Sequence, residues 1–153
     1  IYNLELWMLG YLGSRPDNLQ LRTRTLRSHV QIHREYSTDT LGSKSLTRAY
    51  QRLCRVRKEL WNPHIPEMIC AYFADMKIIM TKTRRKLRKD GKFFLAVGNS
   101  KYAGVIVDTE VILKDIALAH GYKHATSQPI RSMRASAQQG GRRELTEALL
   151  TLT

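Results

Sequence analysis

The chain has 153 residues, of which 42% are hydrophobic, 25% charged and 8% aromatic. That composition fits one globular domain with its own core and excludes a collagen, a coiled coil, a disulfide scaffold and wholesale disorder; no apolar run reaches the ~18–20 residues that a spanning helix needs, and no signal peptide is visible. Lys and Arg total 26 against 13 Asp and Glu, a net charge of +13, and such a field favours a polyanion, nucleic acid before an anionic membrane.

The sequence enters at Ile1 straight into an apolar helical pattern, and the expectation is a fragment, a trimmed chain or a chain whose front is missing. Residues 2–12 read as a short amphipathic helix with Leu4, Trp7, Met8 and Leu12 near one face. Gly13 to Asp17 reads as a breaker. Residues 18–43 are rich in Arg, Ser, Thr and His, show little period, and are expected to form a long basic loop. A second helix is predicted over Ser45 to Trp61, with Leu46, Tyr50, Leu53 and Leu60 inside and Arg48, Arg52, Arg55 and Lys58 wet. Asn62 to Pro66 ends it, and Pro66 suits the first position of a third helix. That helix has the clearest stripe: Ile69, Tyr72, Phe73, Met76, Ile79, Met80, Thr83 and Leu87. It closes on the basic run Arg84 to Lys89, which reads as a solvated helix end that complements the dipole.

Asp90-Gly91 is a tight turn, and Lys92 to Gly98 is a strand buried on both faces by its continuous apolar run. Asn99 to Gly104 is expected as a loop. Asp108 or Thr109 caps a fourth helix running to His120, with Val111, Ile112, Ile116 and Ala119 inward, and Gly121 stops it. Tyr122 to Ile130 is a strand, residues 131–143 a flexible basic loop, and Glu144 to Thr153 a last strand. Cys54 and Cys70 lie in helical segments as reduced thiols. His29, His33, His64, His120 and His124 form no ligand pair, so no metal site is expected.

This order argues for an α/β layer architecture in one domain, 1–153. Three strands are too few for a free-standing doubly wound sheet. The last two are expected to be an antiparallel pair on an otherwise parallel sheet, with the missing strands before Ile1 or on a partner. The Gly98-Asn99-Ser100 turn falls where open α/β sheets bind ligands, beyond the carboxyl end of a strand. Asn99 offers a donor and an acceptor for a base edge, Ser100 a hydroxyl and Tyr102 a flat face. The same residues also suit a plain strand-to-loop turn.

Several stretches, taken together, carry a resemblance. They are Tyr72-Phe73-Ala74-Asp75-Met76, Leu87-Arg88-Lys89-Asp90-Gly91-Lys92, Leu95-Ala96-Val97-Gly98-Asn99-Ser100, Gly104 with Val107-Asp108-Thr109, and Ile112 to Gly121. In this order they resemble the second half of a class I S-adenosylmethionine-dependent methyltransferase, and within that class the DNA methyltransferases that make N4-methylcytosine or N6-methyladenine. Tyr2 to Gly10 and the run Leu21 to Ser28 are similar to the stretch after the Pro-Pro-Tyr motif in such enzymes, and Glu144 to Thr153 resembles their last strand. The resemblance covers nearly the whole chain.

It implies a Rossmann-like sheet that is incomplete at its N-terminal side. It also implies a flipped base held in a pocket and S-adenosylmethionine as methyl donor to an exocyclic amine. Gly98, Asn99, Ser100 and Tyr102 would line the target-base side. Loops 18–43 and 131–143 would flank DNA, with Arg22, Arg24, Arg27, Arg34, Arg131 and Arg134 on the nucleic acid. Two motifs of the family are absent: no Phe-x-Gly-x-Gly turn occurs, and no two prolines are adjacent among Pro16, Pro63, Pro66 and Pro129. Asp108 stands where the family has Pro. No catalytic residue is therefore expected in this chain, which would not methylate alone. The competing readings are a non-catalytic methyltransferase-like subunit that grips nucleic acid, and an RNA methyltransferase of the same fold. A cytoplasmic or nucleoid location is expected. No membrane partner is expected, because the basic residues do not gather on one amphipathic face.

Overall fold

A computed structural model describes residues 3–32, 34–36, 38–133 and 145–153. Its centre is the helix α4 (Ile65–Lys86, 22 residues). Pro66 sits in the first turn, where a missing N–H leaves no helical bond unmade. Ile65, Met68, Ile69, Phe73, Met76 and Met80 recur every three or four residues and are buried. Ile79, expected on that stripe, is exposed, and Met68, outside the expected stripe, is buried.

Helix α3 (Lys44–Arg55) packs on α4 through Leu46, Ala49 and Leu53, with Arg48, Arg52 and Arg55 in water as expected. Ser43 begins it: its hydroxyl accepts the Leu46 N–H (3.2 Å) and donates to Asp115 of α5 (2.7 Å). The helix stops earlier than the expected Trp61. A 3₁₀ turn, Arg57–Glu59, replaces its last residues, and Arg57 donates to the Pro63 carbonyl and, through both terminal nitrogens, to Glu67 of α4 (3.0 and 2.5 Å). Helix α5 (Thr109–Ala119) buries Ile112, Leu113, Ile116 and Ala117. Its inner face is turned from the expected Val111 and Ala119, because apolar residues on several sides of this helix leave the phase open.

Among the described residues three strands lie between α4 and α5, β1 (Phe93–Gly98), β2 (Ser100–Tyr102) and β3 (Val105–Val107), and two follow α5, β4 (Ala125–Met133) and β5 (Leu145–Leu152). The main sheet has the order β1-β5-β4 with both pairings antiparallel. The final two strands are thus an antiparallel pair, as expected. β1 and β4 run parallel to each other on either side of β5 and are joined through β2, β3 and α5, a crossover of the kind parallel strands require. The expected parallel pairing itself is not found among the described strands. β5 lies in the middle and buries Leu145, Ala148, Leu150 and Leu152. Burial on both faces, the expectation for β1, is not found. Phe93, Leu95 and Val97 do pack on the core, but Phe94 and Ala96 face outward.

Three further expectations are corrected. Residues 99–104 are not a loop but part of a hairpin, β2 paired with β3. Its two-residue turn, Ala103-Gly104, has φ of +43° and +79°, the left-handed pair that a type I′ turn demands. Ala in the first of those positions hides the signal. Second, the loop 18–43 is shorter than expected, because α2 covers Arg15–Thr23. Ser14 accepts the Asp17 N–H and Pro16 stands in the first turn, so the segment read as a breaker is a helix start. Third, the first helix, α1, covers only Asn3–Met8, and Leu4, Trp7 and Met8 are exposed while Leu12 is buried.

Candidate nucleic-acid interface

A cavity of about 130 Å³ opens at the carboxyl end of β1. Helix α4 contributes Ile69, Tyr72 and Phe73, the hairpin contributes Ser100 and Tyr102, and α5 contributes Thr109 at its N-terminus. Ser28, from the segment after α2, closes one side. A cavity of roughly 150 Å³ takes a benzene molecule, so this one has room for a single six-membered ring. Tyr72 and Phe73 meet edge to face, with centroids 5.1 Å apart. Burial pushes up the phenol of Tyr72, and also that of Tyr102, where a hydrogen bond with Ser100 offsets part of the effect. Both therefore stay neutral at physiological pH. The chamber offers aromatic surface with the hydroxyls of Ser28, Ser100 and Thr109 at its wall, a setting for a flat polar ring.

Of the four residues expected on the target-base side, Ser100 and Tyr102 line the cavity. The other two, Gly98 and Asn99, do not line it. The Asn99 Oδ1 accepts the Thr109 N–H (2.9 Å), and its amide donates to Asp108 (3.5 Å). Asn99 thereby caps α5, since Asp108 at the cap position makes no side-chain cap of its own. Asn99→Ala is expected to lower stability by about 1 kcal/mol, measured by urea unfolding. At Gly98 a Cβ would overlap the Met133 side chain of β4, so the glycine lets that methionine lie against β1.

The wall at Ser28 is held from behind. The carboxylate of Asp75, on α4, accepts from the Arg27 backbone N–H (2.9 Å), Nε (3.1 Å) and Nη2 (2.7 Å). Burial alone would raise the Asp75 pKa, but the Arg27 guanidinium and backbone outweigh it and hold the group below its ordinary value. Arg27, expected on the nucleic acid, is thus committed to this ion pair. Arg34 donates to the Thr25 carbonyl (2.8 Å), and the Tyr36 hydroxyl to that of His29 (3.0 Å), so the segment is tied to itself as well.

Arg22 and Arg24 lie at the C-terminal end of α2. Arg24 is exposed, and Arg22 donates to the Gln31 side chain (3.4 Å). Arg131 pairs with Glu147 across β4 and β5 (2.5 Å), yet its side chain is 70% exposed, and an ion pair that wet holds a guanidinium only weakly. Arg134 lies outside the described residues. In the basic run, Arg84 donates to the Gly121 carbonyl (2.9 Å) and lies over the Tyr122 ring, while Arg85 and Lys86 are exposed.

Two more hollows lie in series with the first. One, of about 220 Å³, is lined by His29, Gln31 and Trp61 together with Ser28, Met68 and Tyr102, the last three of which also line the ring-sized cavity. The other is an open groove of about 580 Å³ between α2 and Gln31, with Arg15, Asn18 and Arg22 on its sides. Sequence reasoning misses Tyr72 and Phe73 as site residues because they sit on the core stripe of α4. It misses Trp61 and Ser28 because nothing local marks them. Among the described residues no group of three His, Cys, Asp or Glu could hold a metal ion, and no helix is long and apolar enough to cross a membrane. Burial raises the Cys70 thiol to about 12, which keeps it unreactive.

The chain is similar to part of a type II methyltransferase. It is 32% identical over 131 residues to the Type II methyltransferase M.AvaI of Nostoc sp. (strain PCC 7120 / SAG 25.82 / UTEX 2576), and equally to the Type II methyltransferase M.AvaI of Anabaena variabilis. The match covers 79% of this chain and 27% of each relative. The chain therefore spans about a quarter of the length of the curated relatives it matches. No family profile matches it, and no solved structure does.

Proposed function

We propose that the chain is the target-base side of a DNA methyltransferase that transfers a methyl group to an exocyclic amino group. The observation that carries this reading is the ring-sized cavity at the carboxyl end of β1, set in a chain of net charge +13 and similar to part of a type II methyltransferase. Base chemistry on duplex DNA needs the base out of the stack and in a close-fitting pocket. Tyr72 and Tyr102 would hold the faces of the ring, and the hydroxyls of Ser100 and Thr109 its edge. Asn99 and Gly98 would set the position of these groups. The volume is of the order of one planar base ring.

S-adenosylmethionine supplies the methyl group in such a reaction. The ring-sized cavity does not fit it, being too small for an adenosyl group at about 130 Å³, and the sequence holds no Phe-x-Gly-x-Gly turn. The remainder of the enzyme would hold the cofactor, as a preceding half or a partner subunit. Arg22, Arg24 and Arg131, with Arg34 and Arg134, would meet phosphates, which fix position without reading sequence. A protein of this kind would work in the cytoplasm or on the nucleoid, where its DNA lies.

Fluorescence anisotropy of a labelled duplex across a salt series tests the reading. Binding is expected to fall steeply and linearly in log–log form with salt, the mark of released counterions. Arg22→Ala with Arg24→Ala is expected to flatten the slope by about 2. Absence of salt-sensitive DNA binding would overturn the reading.

A further inference from the structure

The three hollows share walls in sequence. Ser28, Met68 and Tyr102 face both the ring-sized cavity and the Trp61 chamber, and Gln31 faces both the Trp61 chamber and the groove that carries Arg15 and Arg22. The order is an aromatic cavity for one ring, a chamber of about 220 Å³ with an indole at it, and then a wide groove with two guanidinium groups. A nucleic-acid strand presents the same order: a base, its neighbour, and the phosphates beyond them.

Trp61 is the informative residue. It lies in the turn between α3 and α4, and it is 56% exposed although the Leu60 beside it is buried. An indole left half in water contributes little to the core. At the mouth of a chamber it offers the largest stacking face among the side chains. Every base has a π-face, so such a platform takes an unstacked base of any sequence. His29 and Gln31 on the same chamber carry ring nitrogens and an amide, groups able to bond a base edge. Gln31 is oriented by its hydrogen bond from Arg22, which joins the chamber to the cationic groove.

We propose that the Trp61 chamber is a second nucleotide subsite. It takes the base adjoining the extruded one, stacked on Trp61, with the next phosphate toward Arg22 and Arg15. The inference rests on the reading of the ring-sized cavity as a target-base pocket and deepens it by naming where the flanking nucleotide lies. Contacts to flanking nucleotides are a general source of sequence context in enzymes that flip bases, and His29 and Gln31 become the residues that set it.

The test uses the 153-residue chain with Trp7→Phe. Trp7 is exposed on α1 and lines none of the three hollows, and the sequence has two tryptophans, so Trp61 is then the only indole. A 12-nucleotide single strand is titrated while the indole emission is read, and a labelled copy of the strand reports affinity. Saturable quenching of Trp61 is expected, with Trp61→Ala weakening binding about tenfold and Trp61→Phe within about twofold of the parent, as for stacking on one aromatic face. Circular dichroism checks that the alanine variant folds; the quenching does not depend on that variant. Salt-sensitive strand binding with unchanged Trp61 emission and unchanged affinity in Trp61→Ala would overturn this subsite and leave the DNA reading standing. No salt-sensitive binding by the parent chain would overturn both.

Discussion

Phe73→Ala is expected to destabilise the chain by about 3–5 kcal/mol. Domains of this size have roughly 5–15 kcal/mol in all, so the variant is close to unfolding at 37 °C. Phe73, on α4, is 1% exposed within the core cluster, and it stands edge to face with Tyr72. Its removal leaves a void that packed neighbours fill only in part. The void also opens into the ring-sized cavity that Phe73 lines, so the pocket loses its size selection as well. Phe94 is the internal control. It is the same residue type but 55% exposed on β1, and Phe94→Ala is expected to stay within about 0.5 kcal/mol. Urea unfolding of the two variants decides the matter. Equal midpoints would mean that α4 does not organise the core.

Asp75→Asn is expected to lower stability by about 1.5–3 kcal/mol near neutral pH, the range for hydrogen bonds to a charged group. The Arg27 and Asp75 side chains are 25% and 20% exposed, so solvent cannot fully replace the lost carboxylate. The effect has a defined pH dependence. The folded pKa of Asp75 lies below its ordinary value of 3.8. The pair's contribution is therefore full above about pH 4 and disappears as pH falls through the folded value. Glu67, which burial would raise but Arg57 holds below the usual range, acts in the same direction. The stabilities of parent and Asp75→Asn are thus expected to converge on acidification toward pH 3. Curves that stay parallel from pH 7 to pH 3 would contradict the pairing. The same variant frees the segment that carries Ser28 and Gln31, and amide exchange in residues 24–36 is expected to speed up while that of α3 stays slow.

Much of the fold can be read in the sequence where a single period dominates. Leu46 and Leu53 in α3, and Ile69, Phe73, Met76 and Met80 in α4, recur three, four or seven residues apart, so the buried face comes from spacing. Where apolar residues surround the helix, as in α5, its existence and limits are legible but its phase is not. The hairpin β2–β3 is hidden because its left-handed turn uses Ala103 where Asn or Gly would have marked it. Helix α2 is hidden because Ser14, Pro16 and Asp17 serve equally as a breaker and as a helix start.

The site is half legible for a related reason. Ser100 and Tyr102 come after an apolar strand, a position that points to ligands in α/β sheets, and both line the cavity. Asn99 occupies the same turn, but its side chain bonds the start of α5, ten residues on, which local spacing does not reveal. Arg27 looks like its neighbours Arg22 and Arg24 in a basic run. Its distinction is Asp75, 48 residues away. Trp61 and Ser28 meet at one chamber only after α3 has turned back on α4.

The central claim is that the cavity at the end of β1 receives a base taken out of the DNA stack. The most direct measurement compares two labelled duplexes in the same anisotropy titration, one fully paired and one with a single bulged cytosine. Unstacking costs a few kcal/mol and is least for a base already unpaired. The bulged duplex is therefore expected to bind at least about tenfold more tightly, with the gain abolished in Tyr102→Ala and kept at high salt, where phosphate contacts weaken. Equal affinity for the two duplexes, or a gain that survives Tyr102→Ala unchanged, would contradict the claim.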